Sequence, residues 1–373
     1  MPRKISLGLL ALALFLVAGC ATPRKAPEIV WPLPPEPPRI KYVKSISAVE
    51  DIQKKSIFTR MKEILVGKDA TARLGKPYAV HARGGRIYVA DSAWKKVLVF
   101  DTEKHDFFVL GLEGPGMLAK PLGVTTDSQG RIYVTDTAQN RAVVYDRDGN
   151  FLFAMGEKDR FDQPVGIAVY EPLKRIYIVD TRKHIVSVFD MEGKFLFDFG
   201  GRGTEDGKLN FPTNISIDKE GKVYVMDTFN FRVQIFDPDG KLLNKFGGIG
   251  RAPGLFSKPK GIGVDSEGHI YVVDAAFSNV QIFDQQGRLL LFFGEFGDRP
   301  WQFWLPAGLY IDEQDQIYVA DQYNKKINIY QYLPEKPVTD TGKGSQQIIP
   351  GVTAVSSGGI GGVTARALRS NAE

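Results

Sequence analysis

A chain of 373 residues has the length for two average domains, and its formal charge of +5 comes from 48 basic and 43 acidic residues interspersed along the sequence. That mixture predicts a solvated surface and argues against the concentrated basic face of a nucleic-acid binder, so no nucleic acid is expected as a partner. The single cysteine, Cys20, excludes a disulfide framework and any metal site built from cysteine alone.

Met1 to Cys20 opens with Arg3 and Lys4, continues as an uncharged run from Ile5 to Ala18 and ends in Gly19-Cys20. The run falls short of the roughly 20 residues a spanning helix needs, and residues 1–19 read as a signal segment. Leu16-Val17-Ala18-Gly19-Cys20 resembles the lipobox of bacterial lipoproteins. The resemblance implies cleavage before Cys20, a diacylglyceryl group on its thiol and an acylated new amino terminus. One acyl chain binds a membrane marginally and two or more hold it, so Cys20 is the expected lipid attachment and the membrane the first expected partner. Ala21 after the cysteine resembles the outer-membrane-sorted class, which makes the expected address the cell envelope, on the outer membrane facing the periplasm.

Seven prolines between Ala21 and Pro38 predict an extended polyproline spacer, so residues 20–38 read as the lipidated cysteine and its linker. Arg39 to Ser47 alternates like a strand. Ser56 to Gly67 then places Ile57, Phe58, Met61, Ile64 and Leu65 at helical spacing behind a serine N-cap, predicting an amphipathic helix within an insertion over about 48–67.

The rest of the domain is one segment written six times. IYVADSAWKKVLVFD (Ile87 to Asp101) returns from Ile132, Ile176, Val223, Ile270 and Ile317, and its aspartates, Asp91, Asp136, Asp180, Asp227, Asp274 and Asp321, recur every 44 to 47 residues. Such a period marks a closed ring or an array. Each copy starts with a proline-led strand, as in PVGIAVY from Pro164. A tight turn, the Ile-Tyr-Val strand, a corner, the Val-x-Ile-Phe-Asp strand, an Asp-x-x-Gly turn and a fourth strand such as FLFDFG follow. The middle strands are apolar on both alternating faces, which requires neighbours on both sides. An all-β fold results: a six-bladed β-propeller of four-stranded antiparallel blades over 39–334. The sixth copy ends at Pro334 without a fourth strand, and Arg39 to Ser47 is expected to supply it, closing the ring and removing an open sheet edge.

The run Pro-x-Gly-Ile-x-Val-Asp, Gly-x-Ile-Tyr-Val-x-Asp and Asn-x-Arg-Val-x-Ile-Phe-Asp, fullest in Pro212 to Asp237 and Pro259 to Asp284, resembles the NHL repeat. The resemblance implies a six-bladed propeller. Asn214 and Ala79 depart from it where the other units carry glycine. After Pro334, residues 335–373 are rich in Gly, Ser, Thr and Val without period, which predicts a disordered tail.

The recurring aspartates stand before the corners, where a carboxylate caps backbone amides, so a structural role is expected of them rather than a metal ring. Some six-bladed relatives are zinc lyases or calcium-dependent lactonases. Here His81, His105, His184 and His269 occupy four different positions in the blade, and Asn214 is one oxygen-ligand candidate on an inner strand, with no carboxylate at matching inner positions. No cofactor or metal is expected, and catalysis is the lesser reading: the alternative is a metal-dependent (Zn or Ca) lyase or lactonase. The leading expectation is a non-catalytic scaffold that binds an envelope protein, peptide or glycan through its corners. Aromatics beside basic residues there, Trp94, Lys95, Arg182, His184, Phe229, Arg232, Phe277, Tyr323 and Lys325, have the composition of binding hot spots.

Overall fold

The computed structural model describes residues 28–53, 73–156 and 159–334. The signal segment, Cys20, the amphipathic helix and the tail lie outside the described residues. Six antiparallel sheets are present. Blade 1 is built from Pro77–Arg83, Arg86–Asp91, Lys96–Asp101 and Asp106–Leu110, and blades 2 to 5 repeat that order of four strands. Neighbouring inner strands touch in sequence, and that of blade 6, Pro306–Ile311, returns to that of blade 1, so the sheets form a ring around a central channel.

The ring closes as the sequence predicts. Ile40–Ile46 pairs antiparallel with Lys326–Tyr332 and completes blade 6. The spacer differs from expectation, because Val30–Trp31 adds a fifth strand outside Ile40–Ile46. Val30 is buried, and the Trp31 ring packs 5.8 Å from Phe293 and 5.9 Å from Tyr330. Two apolar side chains with a place to bury outweigh the polyproline tendency of the residues around them.

Apolar clusters fill the six spaces between consecutive blades. Each draws on the Ile-Tyr-Val strand of one blade and the inner strands of the next, which accounts for the middle strands being apolar on both faces. The tyrosine of that motif has a second task. Tyr133, Tyr224, Tyr271 and Tyr318 donate their hydroxyls to the first carboxylate of the tight turn, Asp127, Asp218, Asp265 and Asp312, at 2.8–2.9 Å. The recurring glycine of the inner strand is demanded by close approach around the ring. A Cβ at Gly123 would stand 2.2 Å from the Val165 carbonyl, and one at Gly308 would stand 2.5 Å from that of Tyr78.

Candidate binding face

All six corners emerge on one face of the ring, together with the loops that connect successive blades; the tight turns emerge on the other. Each corner is held by its aspartate. Asp274 accepts the amides of Ser257 and Lys258, which enter the blade, and of Ala276 and Phe277, which form its corner, at 2.7–3.3 Å. Asp91 does the same with Gly75, Lys76, Ala93 and Trp94. Capping of the corner follows from the sequence; the tie to the incoming loop is an addition made by the structure. These bonds also hold the left-handed residue through which each corner closes, at Lys95, Asn140, His184, Phe231, Ser278 and Lys325, a conformation costing about 1 kcal/mol or more for residues other than glycine and asparagine. The buried carboxylates are therefore engaged with backbone. Among the described residues, no group of three His, Cys, Asp or Glu side chains is placed to hold a metal ion.

The residues singled out from sequence divide into two layers. Lys95, Arg182, Phe229, Tyr323 and Lys325 are exposed, Phe229 by 59% and Tyr323 by 57%; Phe277 is half-buried. The others belong to the framework beneath. His184 is 6% exposed, and its Nδ1 accepts the Phe211 amide at 3.0 Å, an arrangement that requires the neutral ring. Burial lowers its pKa accordingly, helped by the charge of Arg202. Arg232 donates to the carbonyls of Thr204, Glu205 and Lys208 and to Asp227, all at 2.8–2.9 Å. The half-buried Trp94 donates its indole N–H to the Arg73 carbonyl at 2.7 Å. Sequence shows these side chains at the corners but not which groups they reach.

Blades 4 and 6 differ from the rest. In the other four, the residue after the aspartate donates its amide to the carbonyl before the leading proline, as Ser92 does to Lys76 and Ala275 to Lys258. In blades 4 and 6 the second residue after the aspartate, Phe229 or Tyr323, donates instead, to Asn210 or Trp304 two residues before the proline, and Phe211 and Leu305 adopt left-handed backbone. Both blades then present aromatic clusters. The Phe211 and Phe229 rings lie 4.9 Å apart; Trp304 stacks on Tyr323 at 3.8 Å and 28°, with Phe296 5.1 Å from Trp304. Phe296 and Leu305 add exposed apolar area on the loop into blade 6, and Ile249 adds more on the loop into blade 5. Phe211, Phe296, Trp304 and Leu305 were not distinguished by sequence. An aromatic or aliphatic side chain directly before the leading proline, where three of the other blades carry lysine, is the signal that could have found Phe211 and Leu305.

The four histidines are scattered. His81 lies inside the channel, His105 and His269 at the turn end, and His184 under a corner. The channel encloses a cavity of about 170 Å³ bounded by the inner strands. Its turn end is crossed by Arg83, which reaches Glu171 of blade 3 at 3.1 Å and Glu313 of blade 6 at 3.6 Å.

These features define a six-bladed β-propeller with a rigid ring and an apolar, aromatic corner face. A family model described as a 6-bladed beta-propeller matches residues 204–276. No curated protein matches the chain by sequence. Among solved structures, virginiamycin B lyase from Staphylococcus aureus is similar with a TM-score of 0.55 at 14% identity, over 79% of this chain and 100% of that one. A protein of unknown function from Bacteroides thetaiotaomicron gives 0.55 at 18% identity, over 79% of this chain and 75% of that one. An auxiliary nutrient binding protein from the same organism gives 0.55 at 15%, over 69% of each chain. At these identities the likeness is one of fold.

Proposed function

We propose that this propeller is a lipid-anchored scaffold of the cell envelope, tethered through Cys20, that holds a protein, peptide or glycan partner on its corner face without catalysing a reaction. The observation that carries this reading is the pair of aromatic clusters, Phe211 with Phe229 and Trp304 with Tyr323, exposed on blades whose corners are rebuilt relative to the other four. Large rings fixed on a rigid base contribute contact area at little entropic cost, which is how binding hot spots act.

Affinity capture from native envelopes tests the face. Phe229→Ala with Tyr323→Ala should abolish recovery of the partner while changing stability by less than about 1 kcal/mol, since both side chains are largely exposed. Undiminished recovery would place the interface elsewhere. The anchor is tested by Cys20→Ser, which should release the protein from membranes of a lipoprotein-processing host; continued sedimentation with membranes would dismiss lipidation at that residue.

A further inference from the structure

The channel has a second chemical feature, at its corner end and separate from the aromatic clusters. Twelve residues, two per blade, form collars on either side of the leading proline. Before the proline stand Lys76, Lys120, Gln163, Phe211, Lys258 and Leu305. After it stand Tyr78, Leu122, Val165, Thr213, Lys260 and Ala307. Four are lysine and none is acidic. The ammonium groups of Lys76, Lys120, Lys258 and Lys260 make no hydrogen bond or ion pair among the described residues. By contrast, Lys183, Lys208 and Lys326 on the same face are held by backbone carbonyls. The six corner aspartates do not neutralise the collars directly, because they lie on the second strands and are engaged with amides.

Lys260 is the centre of the cluster. It is half-buried on the inner strand of blade 5, and its Nζ lies 5.8 Å from the ring centroid of Tyr78 on blade 1. The equivalent residue of the intervening blade 6 is Ala307, whose small side chain leaves that gap open. Burial lowers the pKa of Lys260 to about 8, and the charges of Lys258 and Lys76 push in the same direction. A partly desolvated cation with like charges beside it and only an aromatic face as partner is unfavourable in the empty protein, and an anion offsets both costs. Beneath the collars, the cavity offers Tyr78, Thr213, Asn214 and Ile262, room for a small ligand and none for a folded partner.

We propose that the corner-end mouth of the channel is an oxyanion-binding site, in which Lys260, Lys258 and Lys76 hold the carboxylate or phosphate of a small ligand whose remainder enters the cavity beside Tyr78. The proposal stands apart from the partner surface, since it uses neither Phe229 nor Tyr323.

Thermal shift and calorimetric titration of the full chain with inorganic phosphate, and separately with succinate, test it against sodium chloride at matched ionic strength. At least one anion should raise Tm in a saturable way beyond the chloride control. Lys260→Met should weaken that binding tenfold or more, and Phe229→Ala with Tyr323→Ala should leave it unchanged. A response to phosphate alone assigns a phosphate ligand; a response to succinate alone assigns a carboxylate. Should Lys260→Met fold poorly, Lys76→Gln with Lys258→Gln removes two exposed charges and should weaken binding by a similar factor. Equal shifts in phosphate, succinate and chloride, or an undiminished response in both lysine variants, would overturn the site.

Discussion

The two ends of the channel are made from the same repeat and handle charge in opposite ways. At the turn end, Arg83 spans between Glu171 and Glu313, Ser128 donates its amide to Glu171 at 2.8 Å, and Asp127, Asp218, Asp265 and Asp312 accept tyrosine hydroxyls. The arginine and serine contacts there cross between blades, and the tyrosine bonds lie within one. At the corner end, the four lysine ammonium groups make no hydrogen bond or ion pair among the described residues, and aromatic rings crowd blades 4 and 6. Blades are tied at the corner end too, but by neutral groups: the Thr137 hydroxyl donates to the Pro164 carbonyl and the Thr181 hydroxyl to that of Pro212, both at 2.7 Å. The contrast is therefore one of charge: ion pairs join blades at the turn end, and hydroxyl-to-carbonyl bonds join them at the corner end.

The largest test of this contrast is pH, because a buried group at each end titrates with opposite sign. His81 lies within the turn-end half of the channel, its Nε2 2.9 Å from Thr126 Oγ1 and its ring 4.1 Å from that of Tyr310. Burial, with Arg83 nearby, lowers its pKa to about 3. Between the unfolded value near 6.5 and that value, the unfolded chain takes up a proton that the folded chain refuses. Stability present above pH 6.5 is then lost as pH falls, at about 1.4 kcal/mol per unit. Denaturant melts of wild type and His81→Gln should diverge by that slope below pH 6.5, with other groups cancelling in the difference. Parallel curves would mean that His81 is not buried as the structure has it.

Asp321, at the corner end beneath Tyr323, runs the other way and by less. Burial raises its carboxyl to about 6, against which the donors Asn324 and Trp304 act only in part. Between about pH 3.8 and 6 the folded chain holds a proton that the unfolded chain releases, so stability present at low pH declines as pH rises through that window, by roughly 3 kcal/mol. Asp321→Asn should remove this decline. A variant that tracks wild type across the window would show that the carboxylate is well solvated or fully compensated.

The ring itself was legible in sequence because everything that builds it recurs. Period, turn residues, two-sided apolar strands and the missing fourth strand of blade 6 all follow from binary pattern and chain order. Val30–Trp31 was hidden by the prolines around it, since local propensity pointed one way and a tertiary site for the tryptophan the other. The corner face was half legible. Corner positions could be aligned, so Phe229 and Tyr323 were found, but His184 and Arg232, further along their corners, turn inward. Direction depends on which carbonyls and amides the incoming loop offers, and those loops do not repeat. In blades 4 and 6 the amide bond moves by one residue on both of its partners, which no hydrophobic pattern records.

The smallest expected effect is also the most direct test of the locked end. Arg83 is about one-third exposed, so solvent screens its ties to Glu171 and Glu313, and pairs of this kind contribute roughly 0.5–1 kcal/mol. Arg83→Met keeps the aliphatic stem and removes the charge. If the arginine acts as a cross-blade tie, the variant should lose that amount at low ionic strength and approach wild type in high salt, where the pair is screened. Binding of anions at the corner end should hardly change, because the lysine collars and the cavity beside Tyr78 lie toward the opposite mouth. If Arg83→Met instead altered anion affinity as much as Lys260→Met, the two ends would form one electrostatic site, and the division of labour between them would fall.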